Sequence, residues 1–196
     1  MQGFSGDPYF KQAMLDIVEE SGIKTIVETG TFKGQTTVGL AKMVDNVYTI
    51  EISEKYHAEV QPTLKPFSNI VSILGDGPKV LDEIIPELEG PVLFFLDSHW
   101  YKNPLLGELE AIAKHGIKPH IVIHDFKVPG KPDFGYDEYA DQGITYEWDY
   151  VKNAVQKIYG DDFKMSYNAE AAGSKRGILF LAPELQPSEE LANGDE

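Results

Sequence analysis

None of the 196 residues is a cysteine, so a disulfide framework, a thiolate metal site and a cysteine nucleophile are all excluded. No run approaches the roughly 20 apolar residues that a membrane span needs. The opening MQGFSGDPYFKQ has no apolar signal core either. We therefore expect a cytoplasmic protein with no membrane partner. Basic clusters are also missing: the formal charge is −15, and the one adjacent basic pair, Lys175 and Arg176, falls in what reads as a hairpin turn. Such a surface repels a polyanion, so no nucleic-acid partner is expected. The Gly-Lys-Ser/Thr of a P-loop does not occur after the first glycine-bearing loop.

What is present is a rhythm of helix and strand patterns. Phe10, Met14, Ile17 and Val18 recur at helical spacing within residues 8–21. Strand-like runs follow at residues 25–29, 47–51, 70–74, 92–97 and 121–124, with helical stretches between them that include 35–43, 79–88 and 105–115. This alternation predicts an α/β fold with a doubly wound, mostly parallel sheet. Residues 163–168 and 177–181 are joined by the polar AEAAGSKR, which leaves no room for a crossover helix. They should form a C-terminal antiparallel hairpin and bring the sheet to seven strands. A hydrophobic content of 42% over this length fits one domain with a sizeable core. We assign residues 1–184 to that domain and expect the acidic residues 185–196 to be a disordered tail.

Five of the strand-like runs end on an acid: Glu28, Glu51, Asp76, Asp97 and Asp125. The carboxyl ends of the strands form the ligand crevice of an open parallel sheet, so these side chains should face one small molecule. The sharpest local signal is ETGTFKGQ, in which Gly30 and Gly34 separate the first strand from a helix. Glycines there let the backbone turn tightly and bring a helix N-terminus to a ligand, although an ordinary turn would use them as well. Glu51 stands about 20 residues further on, where an acid can accept both ribose hydroxyls. Alternatively, Glu51 and Ser53 cap the helix that starts near Glu54.

With five strands in βα alternation, then a helix and a terminal hairpin, residues 8–183 resemble the class I S-adenosylmethionine-dependent methyltransferases. The resemblance implies a Rossmann-like methyltransferase fold with S-adenosylmethionine as cofactor. It implies that Glu28, Gly30, Thr31 and Gly34 approach the methionine part, that Glu51 holds the ribose, and that Asp76 in GDG lies near the adenine. Thr31 and Phe32 stand where a second close glycine is common in the family.

LFFLDSHWYKN and IVIHDFKVPGKPDF are similar, further, to the metal-site segments of catechol-type O-methyltransferases. That likeness implies a divalent metal, magnesium or manganese, on Asp97, His124 and Asp125. Ser98 is extra in this chain, and His124 stands where an oxygen donor is usual; magnesium prefers oxygen, whereas imidazole suits other metals. A bound cation lowers the pKa of a hydroxyl. His99 is the first candidate general base, since an unperturbed imidazole titrates near neutrality, and Lys102 the second. His99 and Trp100 would serve equally as packing residues, and Asp125 as a turn acid.

Between residues 129 and 150, Phe134, Tyr136, Tyr139, Tyr146, Trp148 and Tyr150 are interleaved with acids. The segment is a candidate lid over a planar or sugar-like acceptor, or else a solvated loop leading into a helix over residues 146–159. An aromatic patch near Trp148 is a candidate homo-oligomer face. The expected activity is methyl transfer to a hydroxyl of a small-molecule acceptor. Metal-independent transfer, with His99 as base and Asp97 on the cofactor's amino group, is the nearest alternative. A dinucleotide-binding oxidoreductase would use the same loop and Glu51, and a non-catalytic module would keep only the pocket.

Overall fold

Asp7 opens the first helix, α1 (Pro8–Glu20), by accepting from the backbone N–H of Tyr9 at 2.9 Å and of Phe10 at 3.2 Å. Pro8 occupies the first turn, where no N–H is needed. Helical spacing then buries Phe10, Met14 and Val18 on one face. The structure, a computed structural model, describes residues 3–99 and 103–184. Trp100, Lys102 and the expected tail therefore lie outside the described residues.

Strand and helix alternate as β1 (Thr25–Thr29), α2 (Gln35–Leu40), β2 (Asn46–Glu51), α3 (Glu54–Leu64), β3 (Ile70–Leu74), α4 (Gly77–Ile84), β4 (Val92–Leu96), α5 (Leu105–Lys114) and β5 (His120–His124). Two short strands, β6 (Glu138–Tyr139) and β7 (Ile144–Thr145), pair with each other before α6 (Trp148–Tyr159), and β8 (Phe163–Tyr167) and β9 (Ile178–Pro183) follow. Helices end earlier than their patterns suggest. The stretch expected to run to residue 88 leaves α-geometry at Ile84 and continues as a 3-10 turn over Ile85–Glu87, because Pro86 has no N–H to extend the ladder.

The seven-stranded sheet has the order β3-β2-β1-β4-β5-β9-β8. The first five strands are parallel, as expected. The terminal hairpin is antiparallel, and its second strand inserts against β5, with Ile121 opposite Leu181 and His124 opposite Ile178. The chain reverses direction across the sheet between β1 and β4, and that switch point is where an open sheet binds ligands.

Period-two alternation feeds two cores. Phe94 and Leu96 of β4 and Ile121 and Ile123 of β5 face α4, α5 and α6, where Leu81, Leu109 and Val155 meet them. Leu93, Phe95 and Val122 face the other way, towards Phe10, Met14 and Leu40 of α1 and α2. Each such fully buried side chain contributes about 1.5–3 kcal/mol. Among the described residues no helix is long and apolar enough to cross a membrane.

Asp7 also accepts, through its second oxygen, the N–H of Ala172 in the β8–β9 connection at 3.1 Å. Asp7→Ala should lower stability by about 1–2 kcal/mol in urea unfolding, at the upper end for a cap because a third donor is also stranded.

Candidate active site

The loop from β1 to α2 passes so close to the end of β4 that a Cβ on Gly30 would lie 2.4 Å from the Asp97 carbonyl oxygen. With φ at +92° as well, only glycine fits. Glu51, at the end of β2, ties the loop down. One carboxylate oxygen accepts the Phe32 N–H at 2.8 Å and the other accepts the Ser53 N–H at 2.9 Å. Each oxygen keeps lone-pair capacity for a further donor. Ser53 caps α3, through the Tyr56 N–H at 3.3 Å, whereas Glu51 braces the loop and lines the cavity.

That cavity, about 360 Å³, lies at the carboxyl ends of β1, β2 and β4. Glu51, Asp76, Asp97 and Asp125, four of the five strand-end acids, line it, together with Gly30, Thr31, Gly34 and His99. Glu28 does not. It is buried beneath the loop, where one carboxylate oxygen accepts from Thr37 Oγ1 at 2.5 Å and Thr49 Oγ1 at 2.6 Å. Burial pushes Glu28 up to about 8, against those two bonds, which favour its charged form.

A second cavity, about 420 Å³, shares Ser5, Asp97 and Asp125 with the first and adds His124, Asp137, Ser174 and Arg176. Arg176, reaching in from the β8–β9 connection, donates from Nε to Asp125 and from Nη2 to Asp137 at 2.6 Å. His124 Nδ1 lies 3.1 Å from an oxygen of Asp97 and 3.1 Å from one of Asp125. These are ion-pair distances without hydrogen-bond alignment. Burial disfavours charge on both His124 and Asp125, yet the pairing prevails. It holds the imidazole well above its ordinary range, and His124, His99 and Arg176 hold Asp125 well below the usual carboxylate range. Asp125 sits at φ +59°, a left-handed conformation that costs a non-glycine residue about 1–3 kcal/mol and is typical of functional sites.

His99 is buried and meets Tyr146 edge-on, with ring centroids 4.8 Å apart. Its Nδ1 lies 3.8 Å from Asp125 Oδ2 and 3.7 Å from Asp137 Oδ2, and neither ring nitrogen has a hydrogen-bond partner among the described residues. One donor atom from each of Asp97, His99 and Asp125 can be chosen so that all lie within 4.8 Å of one another. The cluster with metal-binding spacing thus contains His99, whereas His124 stacks on Phe10 at 5.6 Å and bridges the two carboxylates. Ser98, the extra residue of this strand end, donates to the buried Glu108 of α5 at 2.7 Å.

Of the two readings of residues 129–150, a lid or a loop leading into a helix, the chain enters a helix at Trp148. Phe134 and Tyr146 are buried, Tyr146 stacks on Tyr150 at 5.8 Å, and Trp148 and Tyr150 pack against the core. None of the aromatics between residues 129 and 150 lines either cavity, because the segment folds back on α6 and the strand ends. Arg176 and Asp137 had no signal in the local sequence, since their roles exist only through contacts 51 and 39 residues apart.

Fold and cavity together define an α/β protein with an acid-lined cavity at the switch point of its sheet. No family model matches the chain. The protein-L-isoaspartate O-methyltransferase of Dictyoglomus turgidum is 29% identical over 105 residues, 53% of this chain and 47% of that protein. The match thus spans about half of each. Among solved structures, the O-methyltransferase from Bacillus cereus in complex with SAH is similar over 90% of this chain and 81% of its own, with a TM-score of 0.63 at 19% identity. The O-methyltransferase TomG from Streptomyces achromogenes, in complex with SAM, covers 88% and 78%, with a TM-score of 0.63 at 16% identity. An rRNA methylase from Streptococcus thermophilus covers 89% and 95%, with a TM-score of 0.53 at 16% identity. The chain has the Rossmann-like fold of the class I methyltransferases.

Between its ordinary 4.5 and about 8, folded Glu28 holds a proton that the unfolded chain has released. Its contribution to stability therefore falls as pH rises through that window. Glu28→Gln removes the titration, so the difference in urea midpoint between variant and parent should move in the variant's favour from about pH 5 to about pH 8.

Proposed function

We propose that the protein is an S-adenosylmethionine-dependent O-methyltransferase acting on a hydroxyl of a small molecule. The observation that carries this reading is the sharing of Asp97 and Asp125 between two adjoining cavities. One cavity has the glycine-bearing loop and the strand-end acid that suit the cofactor, and the other opens onto the same carboxylates from the hairpin side. A methyl donor and an acceptor held from the two sides meet there, with His99 alongside. The formal charge of −15 favours a small acceptor over RNA, although one similar structure is described as an rRNA methylase.

In this reading Glu51 accepts from the ribose hydroxyls, Asp76 lies beside the adenine, and the Gly30–Thr31 backbone approaches the methionine part. The acceptor oxygen forms its bond to the methyl carbon as the carbon–sulfur bond breaks, and the sulfonium leaves as a neutral thioether. The hydroxyl proton must depart, and the ring nitrogens of His99, without a hydrogen-bond partner among the described residues, support it as the receiving group. Holding both reactants in line supplies much of the acceleration, up to about 7–11 kcal/mol in the best cases.

The residues also fit a divalent metal. Asp97, His99 and Asp125 would hold it, and two carboxylates with one imidazole suit manganese better than magnesium. When bound, such a cation lowers the pKa of the acceptor hydroxyl. A cation-free reading is favoured by Arg176 and His124, which already sit against the same carboxylates.

Calorimetric titration with S-adenosylmethionine, with and without manganese, checks the proposal. We expect saturable cofactor binding that weakens on the order of tenfold or more in Glu51→Ala, from loss of ribose and loop bonds of about 1 kcal/mol each. Asp97→Asn and Asp125→Asn should abolish manganese binding if the metal-assisted route operates. Binding of NAD without S-adenosylmethionine would falsify the assignment.

A further inference from the structure

We infer that the second cavity is the acceptor site and that it selects a polyhydroxylated, sugar-like molecule over an aromatic one. The word acceptor rests on the methyl-transfer reading, whereas the ligand class rests on the walls. Among the described residues those walls are Asp97, Asp125 and Asp137 with Ser5, Ser174, His124 and Arg176, with no hydrocarbon side chain in that set. An aromatic ligand is held by apolar walls, and here it would strip water from polar groups without burying apolar surface in return. Of the described aromatics that follow β5, Tyr146 and Phe134 are turned into the core, 0% and 6% exposed, and none lines this cavity.

The same walls suit a ring of hydroxyls. Each hydroxyl is both donor and acceptor, so neighbouring hydroxyls can donate to the carboxylates while accepting from Ser5 or Ser174. His124 adds an independent sign of a ligand: its side chain is 6% exposed, it faces this cavity, and Nδ1 has no aligned partner. An anionic ligand is disfavoured. The lining holds three carboxylates, and Arg176 already turns Nε and Nη2 towards Asp125 and Asp137.

The cavity is also braced. Its two serines come from opposite ends of the chain, and the N–H of Ser174 donates to the Ser5 carbonyl at 3.4 Å. A Cβ on the intervening Gly173 would lie 2.4 Å from that same oxygen. The Phe4 N–H donates to Thr36 Oγ1 at 3.1 Å, which ties the N-terminal turn to α2. Such bracing suits a ligand recognised by the fixed spacing of its hydroxyls.

Saturation-transfer NMR on the full chain without cofactor, using methyl glycosides of several hexoses against catechol and caffeate, tests ligand class directly. We expect transfer to glycosides, with affinity falling about tenfold in Ser174→Val and in the near-isosteric Asp137→Asn. Urea midpoints of both variants guard against misfolding. Binding of catechol or caffeate in preference, binding of none of the probes, or glycoside binding indifferent to both folded variants would overturn the inference. Glycoside binding by a protein that does not bind S-adenosylmethionine would uphold the ligand class and remove only the methyl-transfer reading.

Discussion

Carboxylates gathered in one crevice repel one another, and the end of this sheet depends on cations delivered between them. Two unit charges 4 Å apart interact by about 4 kcal/mol at an effective dielectric of 20, so an uncompensated trio would be costly. Arg176 spans Asp125 and Asp137 with separate nitrogens, and the His124 ring lies between Asp97 and Asp125. The arginine can reach because β9 is paired with β5, which puts the start of β9 beside the end of β5. A sheet with β8 in that place would leave the acids without their guanidinium.

Glu51 shows how one side chain joins architecture to ligand capacity. Its oxygens receive the Phe32 and Ser53 N–H groups, and so hold Phe32 at φ +46° and fix the glycine-bearing loop over the crevice. Because carboxylate oxygens accept more than one bond each, bracing the loop does not use up the residue. Glu28 went the other way. Thr37 and Thr49 close around it, and burial, with a smaller push from the neighbouring acids, favours its neutral form.

Most of the fold was legible because it is written in local periodicity. Alternation along β4 separates Phe94 from Phe95 into different cores, and the turn glycines and strand-end acids mark the crevice without any long-range information. The legible part of the site has the same origin: Glu51, Asp76, Asp97 and Asp125 are recognisable by position at strand ends. What escaped is what depends on distant pairing. Arg176 looks like half of a basic pair in a turn until β9 is placed beside β5. The aromatics after β5 carry no mark to distinguish a lid from a packed segment, and only tertiary contacts turn Tyr146 inward.

The bond from Ala172 to Asp7 has a consequence for how the chain comes to be folded during synthesis. It joins residues 165 positions apart, so the second oxygen of the capping Asp7 receives its donor only when the β8–β9 connection has been made. Long loops must close before such contacts reward them. Until then α1 lacks one of its ties and the acids at the ends of β4 and β5 lack their arginine, which leaves the nascent crevice charged, hydrated and open. The site's neutralising arginine thus emerges only after the acids it serves, and a chain cut short before β9 would carry much of the sheet but not a balanced site.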